Sequence, residues 1–402
     1  MQTVPLSELG EIVSGSTPKT GVPQFWDGDI PWITPADLSN HEGIYFYGTP
    51  KRISKAGFDS CSTAMLPAGS ILFSSRAPIG HCALTAYPAC TNQGFKTIVP
   101  NKRLDPVYGY FALKFLTPTI VALGRGATFA EINKELFESV QVPYCDLPEQ
   151  RRIAGRLEQA NRLLRTRRYA LELTGAFLPA AFLILFGDPI ANPHGFRVEA
   201  LEDLIQPTRP ISYGILMPGP DVPTGVPYIR VTDIQDGQVV TALVRRTTRE
   251  IDQAYKRSKL KAGDLLLSIR GHVGRMAIVP ACLDGANITQ DTARLATVDT
   301  LEPHYLMACL ASRGMQHRMV GLTRGAAVQG INLGDVKELP IPVPPLPLQQ
   351  KFAALVERVE RLRTVQRESL RLAEHLFASL LHRAFGGCTA HAADGPLQRR
   401  VS

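Results

Sequence analysis

Arg76 and Arg270 stand in matching local settings and have side chains that can contact a nucleic acid. Each arginine closes a short apolar run and is followed four residues later by a glycine, Gly80 or Gly274. A guanidinium donates two parallel hydrogen bonds to guanine O6 and N7, or binds a phosphate. An internal salt bridge repeated in both places explains the pattern equally well, and the sequence leaves both interpretations open.

Side-chain amides occupy a second pair of matching turns. Asn92 and Gln93 lie in the first turn, and Gln290 lies in the second. An amide pairs its acceptor and its donor with adenine N6 and N7. Amides that stabilise buried turns have the same sequence signature, so a purely structural role stays open for all three residues.

Arginine also lies inside two glycine-rich segments. The first is 124–128, with the sequence Gly-Arg-Gly-Ala-Thr, in which Arg125 is central and Thr128 is last. The second begins at Arg324 and continues with Gly and Ala at 325–326. Such segments can present backbone N–H groups and a cation to a phosphate. A turn with a surface arginine is the competing interpretation.

Complete enzyme motifs are absent from the sequence. Residues 10–17 have the glycine spacing of a P-loop, but Ser16 stands where the phosphate-binding lysine is required. The nine histidines form no H-E-x-x-H or H-x-x-x-H pair, and no G-x-S-x-G elbow occurs. Residues 192–196 begin like an amino-methyltransferase loop but lack its second proline. We therefore expect no catalytic residue, no metal site and no cofactor in this chain.

The chain repeats itself at an offset of about 194–199 residues. In unbroken order, the matching segments are Pro31-Trp32-Ile33 with Pro227-Tyr228-Ile229, 66–76 with 260–270, 91–93 with 289–291, 125–127 with 324–326, and 147–150 with 346–349. The shared positions are mostly apolar residues, glycines and turn formers, which a common scaffold requires, whereas the polar residues differ. One fold is therefore used twice with different surface chemistry.

Each copy changes character part-way along its length. The first part has short β-type runs bounded by Gly and Pro, and a proline-rich joint then leads into an apolar pattern of helical period. The apolar stripe of the first copy is Leu157, Leu164, Leu171, Leu178 and Leu185, and that of the second is Leu355, Val359, Leu362, Ser369, Ala373, Leu376 and Leu380. These stripes predict two helices of about 55–60 Å at ~1.5 Å per residue, paired as an antiparallel coiled coil.

Composition sets the wider limits. The chain has 402 residues, of which 45% are hydrophobic and 20% charged, so it can bury sizeable cores. Its formal charge of +8 makes a polyanion a plausible partner. Seven cysteines without a C-x-x-C pair argue against a disulfide framework or zinc ribbon. The longest apolar run, 176–186, is interrupted by Pro179, so we expect no membrane helix, no membrane partner and a cytoplasmic location.

The expected fold class is α+β, with two sheet-rich domains in tandem repeat, each followed by a long helix. We place the first domain at 1–146, the central helix at 147–187, the second domain at 188–345, the C-terminal helix at 346–386 and a flexible tail at 387–402.

The duplicated order of these motifs resembles the specificity subunit of type I restriction-modification systems. The resemblance rests on the Pro-aromatic-Ile segments at 31–33 and 227–229, the Leu-x-x-Gly-x-Ile/Leu-Leu-x-Ser-x-Arg runs, the Leu-Pro-x-Gln helix starts, and the helix ends at 185–189 and 379–386. It covers all but the last ~15 residues. Each motif is short and permissive, but their shared order in two copies is specific.

The resemblance implies that both sheet-rich domains are target-recognition domains, each binding one half of a two-part, asymmetric site on double-stranded DNA. It implies no catalytic activity in this chain. Two modification (methyltransferase) subunits would dock on the helices, and restriction (translocase/endonuclease) subunits would complete the complex, using S-adenosylmethionine, ATP and Mg. The expected DNA-contacting residues are Arg76, Asn92, Gln93, Arg125, Thr128, Arg270, Gln290 and Arg324. The expected partner-binding positions are Leu157, Leu164, Leu171, Leu355, Val359, Leu362 and Leu376.

Two other functions remain compatible with the residues alone. A tandem-repeat scaffold would assemble partners through its coiled coil without recognising DNA. A detached fragment of a fused methyltransferase-nuclease would use the same recognition fold, although the incomplete methyltransferase loop argues against intrinsic activity.

Overall fold

The structure is a computed structural model that describes residues 2–124, 131–325 and 329–387. The elements of the first half are β1 Gln2–Pro5, β2 Gly10–Ser14, β3 Trp26–Ile33, β4 Tyr45–Phe46, β5 Arg52–Ile53, α1 Lys55–Asp59, β6 Ile71–Phe73, β7 Cys82–Thr85, β8 Cys90–Thr91, β9 Lys96–Pro100, α2 Pro106–Leu123, α3 Lys134–Glu138, β10 Gln141–Tyr144 and α4 Leu147–Phe186. The elements of the second half are β11 Arg197–Ala200, β12 Ser212–Tyr213, β13 Val226–Ile229, β14 Ile234–Gln235, β15 Gln238–Val239, β16 Arg245–Thr247, α5 Arg249–Ala254, β17 Leu265–Ser268, β18 Met276–Ile278, β19 Asn287–Ile288, β20 Thr292–Leu295, α6 Pro303–Ala311, α7 Arg313–Gly321, α8 Leu333–Lys337, β21 Pro340–Val343 and α9 Leu346–Phe385.

The chain folds into two compact units. The second unit is Leu171–Gln366, and the first unit joins the residues before this segment to those after it. Each unit therefore contains one sheet-rich globule, part of α4 and part of α9.

The first unit is built around a five-stranded sheet in the order β2-β9-β6-β7-β4, with a three-stranded sheet β5-β3-β8 beside it. Helix α2 begins at Pro106 because Asp105 caps it, its carboxylate accepting the Tyr108 N–H. The buried side chains of α2, including Phe111 and Ile120, form one core with Ile71 and other sheet residues. Burial of this apolar surface is the main stabilising contribution to the unit.

The second unit repeats this plan with the four-stranded sheet β12-β20-β17-β18 and the three-stranded sheet β16-β13-β19. In the first unit β3 pairs antiparallel with β5 and parallel with β8, and β13 pairs in the same way with β16 and β19. Tyr305 and Leu306 of α6 are fully buried in its core. The predicted tandem α+β fold is therefore confirmed.

A buried glutamine explains the Leu-Pro-x-Gln motif at the start of each long helix. The Gln150 amide donates to the carbonyl oxygens of Arg103 and Cys145 and accepts the Asp105 N–H, at 2.8–2.9 Å. Gln349 makes the equivalent bonds in the second unit, donating to two carbonyls and accepting the Glu302 N–H. Each amide thereby fastens the start of a long helix to the loop before the core helix.

Portions of α4 and α9 lie against each other within each unit. In the first unit the early turns of α4, around Leu157, share a core with Phe385 near the end of α9. In the second unit Phe182, late in α4, lies 5.7 Å from Phe352 near the start of α9, measured between ring centroids. Early turns of one helix thus meet late turns of the other in both units. The predicted antiparallel pairing is confirmed.

Two helices of the described chain are long and apolar enough, by length and composition alone, to cross a membrane. In α2 the apolar window coincides with the helix itself and is 44% buried, as expected for the central helix of a globule. The window in α4 is only 11% buried. Helix α4 continues through Pro179, which lies inside this segment. The apolar side chains of α4 therefore need a partner.

Candidate nucleic-acid interface

Arg76 lies three residues after the end of β6, between two other segments of the first unit. The Ser75 N–H donates to the Gly94 carbonyl at 2.8 Å, and the Ser75 carbonyl accepts the Ile132 N–H at 2.9 Å. The arginine that follows is therefore held between the 92–94 turn and the segment beginning at Glu131. Two long-range backbone contacts, neither of which has a local sequence signature, fix this position.

A carboxylate holds the Arg76 guanidinium at one edge. Arg76 Nε lies 3.1 Å from Glu131 Oε1, and the two side chains are 49% and 41% exposed. Within the described part of the chain, the terminal NH1 and NH2 groups of Arg76 have no hydrogen-bond partner. The salt bridge raised by the sequence is therefore present, and the Arg76 side chain is about half exposed beside it.

Arg270 occupies the equivalent place in the second unit. Ile269, before it, donates its N–H to the Asp291 carbonyl and accepts the Ile331 N–H, each at 2.8 Å. Arg270 Nε lies 4.0 Å from Asp291 Oδ1, and the arginine side chain is 56% exposed. Asp291 Oδ1 is buried without a hydrogen-bond partner in the described structure.

The backbone contacts correct the alignment of the two turns. Asn92 N–H donates to the Ile33 carbonyl, and Thr289 N–H donates to the Ile229 carbonyl, both at 3.1 Å. These positions are equivalent, because Ile33 and Ile229 lie at matching places in β3 and β13. The sequence alignment was off by one residue. Counting on from Asn92 and Thr289, Gln93 corresponds to Gln290, and Gly94 corresponds to Asp291.

A glycine brings a further loop against each turn. A Cβ on Gly15 would lie 2.2 Å from the Thr91 carbonyl oxygen, and one on Gly214 would lie 1.9 Å from the Ile288 carbonyl oxygen. No side chain fits at either distance, so only glycine allows this approach. The loops that follow these glycines have different side chains, Thr17 in the first unit and Leu216 and Met217 in the second.

The amides and these loops differ between the two units. The Thr17 hydroxyl donates to Gln93 Oε1 in the first unit. In the second unit Leu216 and Met217 are 49% and 83% exposed, and the side-chain amide of Gln290 has no hydrogen bond within the described residues. The loop beside the turn is therefore polar in the first unit and apolar in the second.

The remaining predicted contact residues have different surroundings. Asn92 Oδ1 accepts the Gly94 N–H at 2.9 Å, so its acceptor is used inside the turn. Arg324 exchanges two backbone hydrogen bonds with Gly330, which also bridges to Arg270. The Arg324 side chain is 71% exposed and 3.6 Å from Asp335. Arg125 and Thr128 lie outside the described residues.

Three residues that the sequence did not single out complete the picture. Glu131 and Asp291 face the arginines, and Lys96 of β9 is buried near the first pair. Burial lowers the pKa of Lys96, while Glu131 raises it and Arg76 lowers it. The acids lie in different positions of the repeat, so internal comparison gives no signal for them.

The described residues offer no metal site and no activated thiol. Among residues 2–124, 131–325 and 329–387, no group of three His, Cys, Asp or Glu side chains is placed to hold a metal ion. Burial raises the pKa of both the Cys82 and Cys309 thiols to about 12, which disfavours the nucleophilic thiolate.

A family model described as "Type I restriction modification DNA specificity domain" matches residues 1–173 and 220–372, one copy in each half of the chain. The chain belongs to this family. Its role is accordingly to supply DNA sequence specificity in a type I restriction-modification system.

Similar proteins cover nearly the whole of this specificity subunit. The MjaIX specificity subunit of Methanocaldococcus jannaschii is 28% identical over 88% of this chain and 85% of its own length. The EcoBI specificity subunit of Escherichia coli is 28% identical over 96% of this chain and 80% of its own length.

Solved structures show the same fold. A chain from a structure described as the basis of complex assembly and conformational transition of the type I R-M system has a TM-score of 0.57, at 20% identity and with 95% of this chain and 97% of that chain covered. The S subunit of M. genitalium has a TM-score of 0.54, at 16% identity and with 95% of each chain covered.

The predicted partner-binding positions on the helices of this specificity subunit divide by exposure. Leu157, Leu164 and Val359 are buried within their own units and serve internal packing, while Leu171 and Leu355 are half-buried. Leu362 and Leu376 are 48% and 46% exposed. Other exposed apolar side chains on α4 and α9 are Leu163, Tyr169, Leu173, Phe177, Leu183, Ile184, Val365 and Leu372.

Proposed function

We propose that this specificity subunit recognises a two-part site on double-stranded DNA, one part with each globule. The observation that carries this proposal is the arginine that recurs at the same place in each unit: the Arg76 and Arg270 side chains are 49% and 56% exposed, and their terminal guanidinium nitrogens form no hydrogen bond within the described residues. Two parallel N–H donors match guanine O6 and N7 in the major groove. A net charge of +8 adds sequence-independent attraction to phosphates.

The two half-sites differ in sequence under this proposal. The polar Thr17–Gln93 contact of the first unit is replaced by exposed Leu216 and Met217 beside the second turn. Apolar side chains contact the thymine methyl group, whereas hydroxyls and amides make hydrogen bonds to base edges. The site is therefore asymmetric.

Individual contacts are assigned as follows. Arg76, Gln93, Arg270 and Gln290 contact base edges, while the more exposed Arg324 contacts a phosphate. Arg125 and Thr128 are predicted contacts on sequence grounds alone. Asn92 shapes its turn, since its side-chain oxygen is engaged there.

The exposed apolar side chains of α4 and α9 dock two methyltransferase subunits, with protein rather than lipid as their partner. Phe177, Ile184 and Val365 are 47%, 79% and 63% exposed, a pattern that marks a protein interface. The exposed charged side chains Arg361 and Arg371 lie on the same helix as Val365 and favour a protein surface over a bilayer. The subunit itself is non-catalytic and cytoplasmic. Its partner subunits use S-adenosylmethionine to methylate adenine, and ATP and Mg to translocate and cleave DNA.

The test is a map of methylated adenines across the host genome, with and without this gene. We expect a two-part asymmetric motif to lose methylation when the gene is absent. Replacing residues 1–146 with those of a relative should change one half of the motif only. If this chain assembles with its methyltransferase subunit but the methylation pattern is the same with and without the gene, a role in DNA recognition is excluded.

A further inference from the structure

The carboxylates that face the two arginines come from opposite flanks of the fold. In the first unit the acid is Glu131, and in the second it is Asp291. Ile132 and Ile331 donate equivalent hydrogen bonds to the residues before the two arginines, so Glu131 corresponds to Gly330. Asp291 likewise corresponds to Gly94. Each unit therefore has one acid and one glycine around the arginine, in exchanged positions.

Local geometry explains why the first unit has no acid at position 94. A Cβ on Gly94 would lie 2.8 Å from Pro35 Cγ and 3.0 Å from Asn92 Oδ1, too close for any side chain without rearrangement. A Cβ on Gly330 would lie 3.2 Å from the Ile269 carbonyl oxygen and 3.6 Å from Arg270 Cγ, so a side chain there needs only a small shift of its neighbours. In the first unit position 94, in the turn, therefore cannot carry an acid, and Glu131 on the opposite side of the arginine supplies one.

Stability alone gives little reason for an acid to accompany each arginine. Both pairs are substantially exposed, with side-chain values of 49% and 41% in one and 56% and 37% in the other. Ion pairs this exposed contribute little to folding. What the two arrangements share is the atom engaged: the carboxylate lies nearest Nε in both. An anion at Nε restricts the guanidinium and leaves the NH1/NH2 fork available.

We infer that Glu131 and Asp291 are positioning residues that hold Arg76 and Arg270 so that each arginine recognises one guanine, one in each half-site. This inference rests on the proposed function and adds to it the residues that orient the contact and the base contacted. A guanidinium held in place loses less conformational entropy when it binds, so the hydrogen bonds to O6 and N7 discriminate better against other bases.

The experiment selects binding sites from duplex DNA with randomised half-sites, using the full chain assembled with its cognate methyltransferase subunit. Four proteins are compared: wild type, Asp291→Asn, Arg270→Lys, and the double variant Asp291→Gly/Gly330→Glu. The double variant moves the acid to the flank used by the first unit. The half-site bound by the first globule is the internal control for folding and assembly in every selection.

We expect wild type to show a guanine in each half-site. Asp291→Asn and Arg270→Lys should lose about fivefold or more of the preference for the same guanine, in the second half-site only. The double variant should regain that preference. Glu131→Gln should have the matching effect in the first half-site, with the second as its control.

Each other result has a distinct meaning. If wild type selects no two-part motif, the proposed function fails. If the motif is present but Asp291→Asn keeps the full guanine preference, the positioning role is overturned. Loss of affinity for all sequences together, with a smaller salt dependence and no change in base preference, identifies phosphate contacts and overturns recognition of guanine. A double variant that binds the first half-site normally but does not regain the second guanine also overturns the inference.

Discussion

Replacing Gln349 with leucine tests whether one buried amide fastens the second globule to its helix. Gln349 is fully buried, and its amide donates to the carbonyls of Pro344 and Thr300 at 2.8 and 3.3 Å and accepts the Glu302 N–H at 2.9 Å. Leucine has a similar volume but removes all three bonds and leaves a buried N–H without an acceptor. At about 0.5–1.5 kcal/mol per hydrogen bond, the loss is roughly 2–4 kcal/mol.

The measurement is chemical denaturation followed by thermal unfolding of the full chain. For a unit of this size the loss corresponds to a decrease in Tm of about 4–15 °C. Gln253→Leu is the matched control, since Gln253 is an exposed glutamine in α5 of the same unit, and it should change stability by less than about 0.5 kcal/mol. Gln150→Leu should cost a similar amount in the first unit. If Gln349→Leu is no worse than the control, the amide does not hold the two elements together.

Three further predictions concern other parts of the molecule. Gly214→Val places a side chain against the Ile288 carbonyl and should abolish recognition of the second half-site while selection of the first half-site persists; equal loss at both would contradict the local role of this glycine. Burial lowers the pKa of both His41 and His81 below 6.5, and positive neighbours lower it further: Arg165 and Lys114 for His41, and Lys114 for His81. The unfolded chain therefore binds more protons than the folded chain at low pH. The stability of the first unit should accordingly fall as the pH drops below about 6.5. Denaturation at several pH values should show this slope, and it should decrease in a His41→Gln/His81→Gln variant; a slope unchanged by both substitutions would exclude these histidines as its source. Phe177→Glu should change Tm by no more than about 1 °C, because the side chain is 47% exposed, but should weaken binding to the methyltransferase subunit at least tenfold in calorimetry. Glu172→Gln, on the same helix, should not weaken this binding. Equal binding by both variants would place the interface elsewhere.

The fold was predictable because its signals are periodic and occur twice. The seven-residue spacing of leucines from Leu157 indicates α4, and the Leu-Pro-x-Gln motif marks its first turn. The stripe did not show which leucines are covered, since that depends on the globule packed beside the helix: Leu157 is buried, whereas Leu362 is half-exposed. Helix α4 runs through Pro179 without ending there.

The candidate site was predictable only in part. Arg76 and Arg270 followed from the repeat, but their acids did not, because Glu131 lies 55 positions after its arginine and Asp291 only 21. The pairing of the turns was wrong by one residue, because identical threonines at 91 and 289 are a weaker guide than the hydrogen bonds to β3 and β13. Local sequence does not record such long-range contacts.

The two kinds of repeated feature differ in what physics demands of them. Gln150 and Gln349 keep the same place in both copies because a buried amide must meet particular backbone atoms within about 3 Å. A carboxylate beside a half-exposed arginine has only to reach one edge of the guanidinium, since charge attraction tolerates distances of 3.1 Å and 4.0 Å alike. Scaffold residues are therefore fixed in position, whereas positioning acids can change flank. Comparison of the two copies by alignment alone finds the first kind and misses the second.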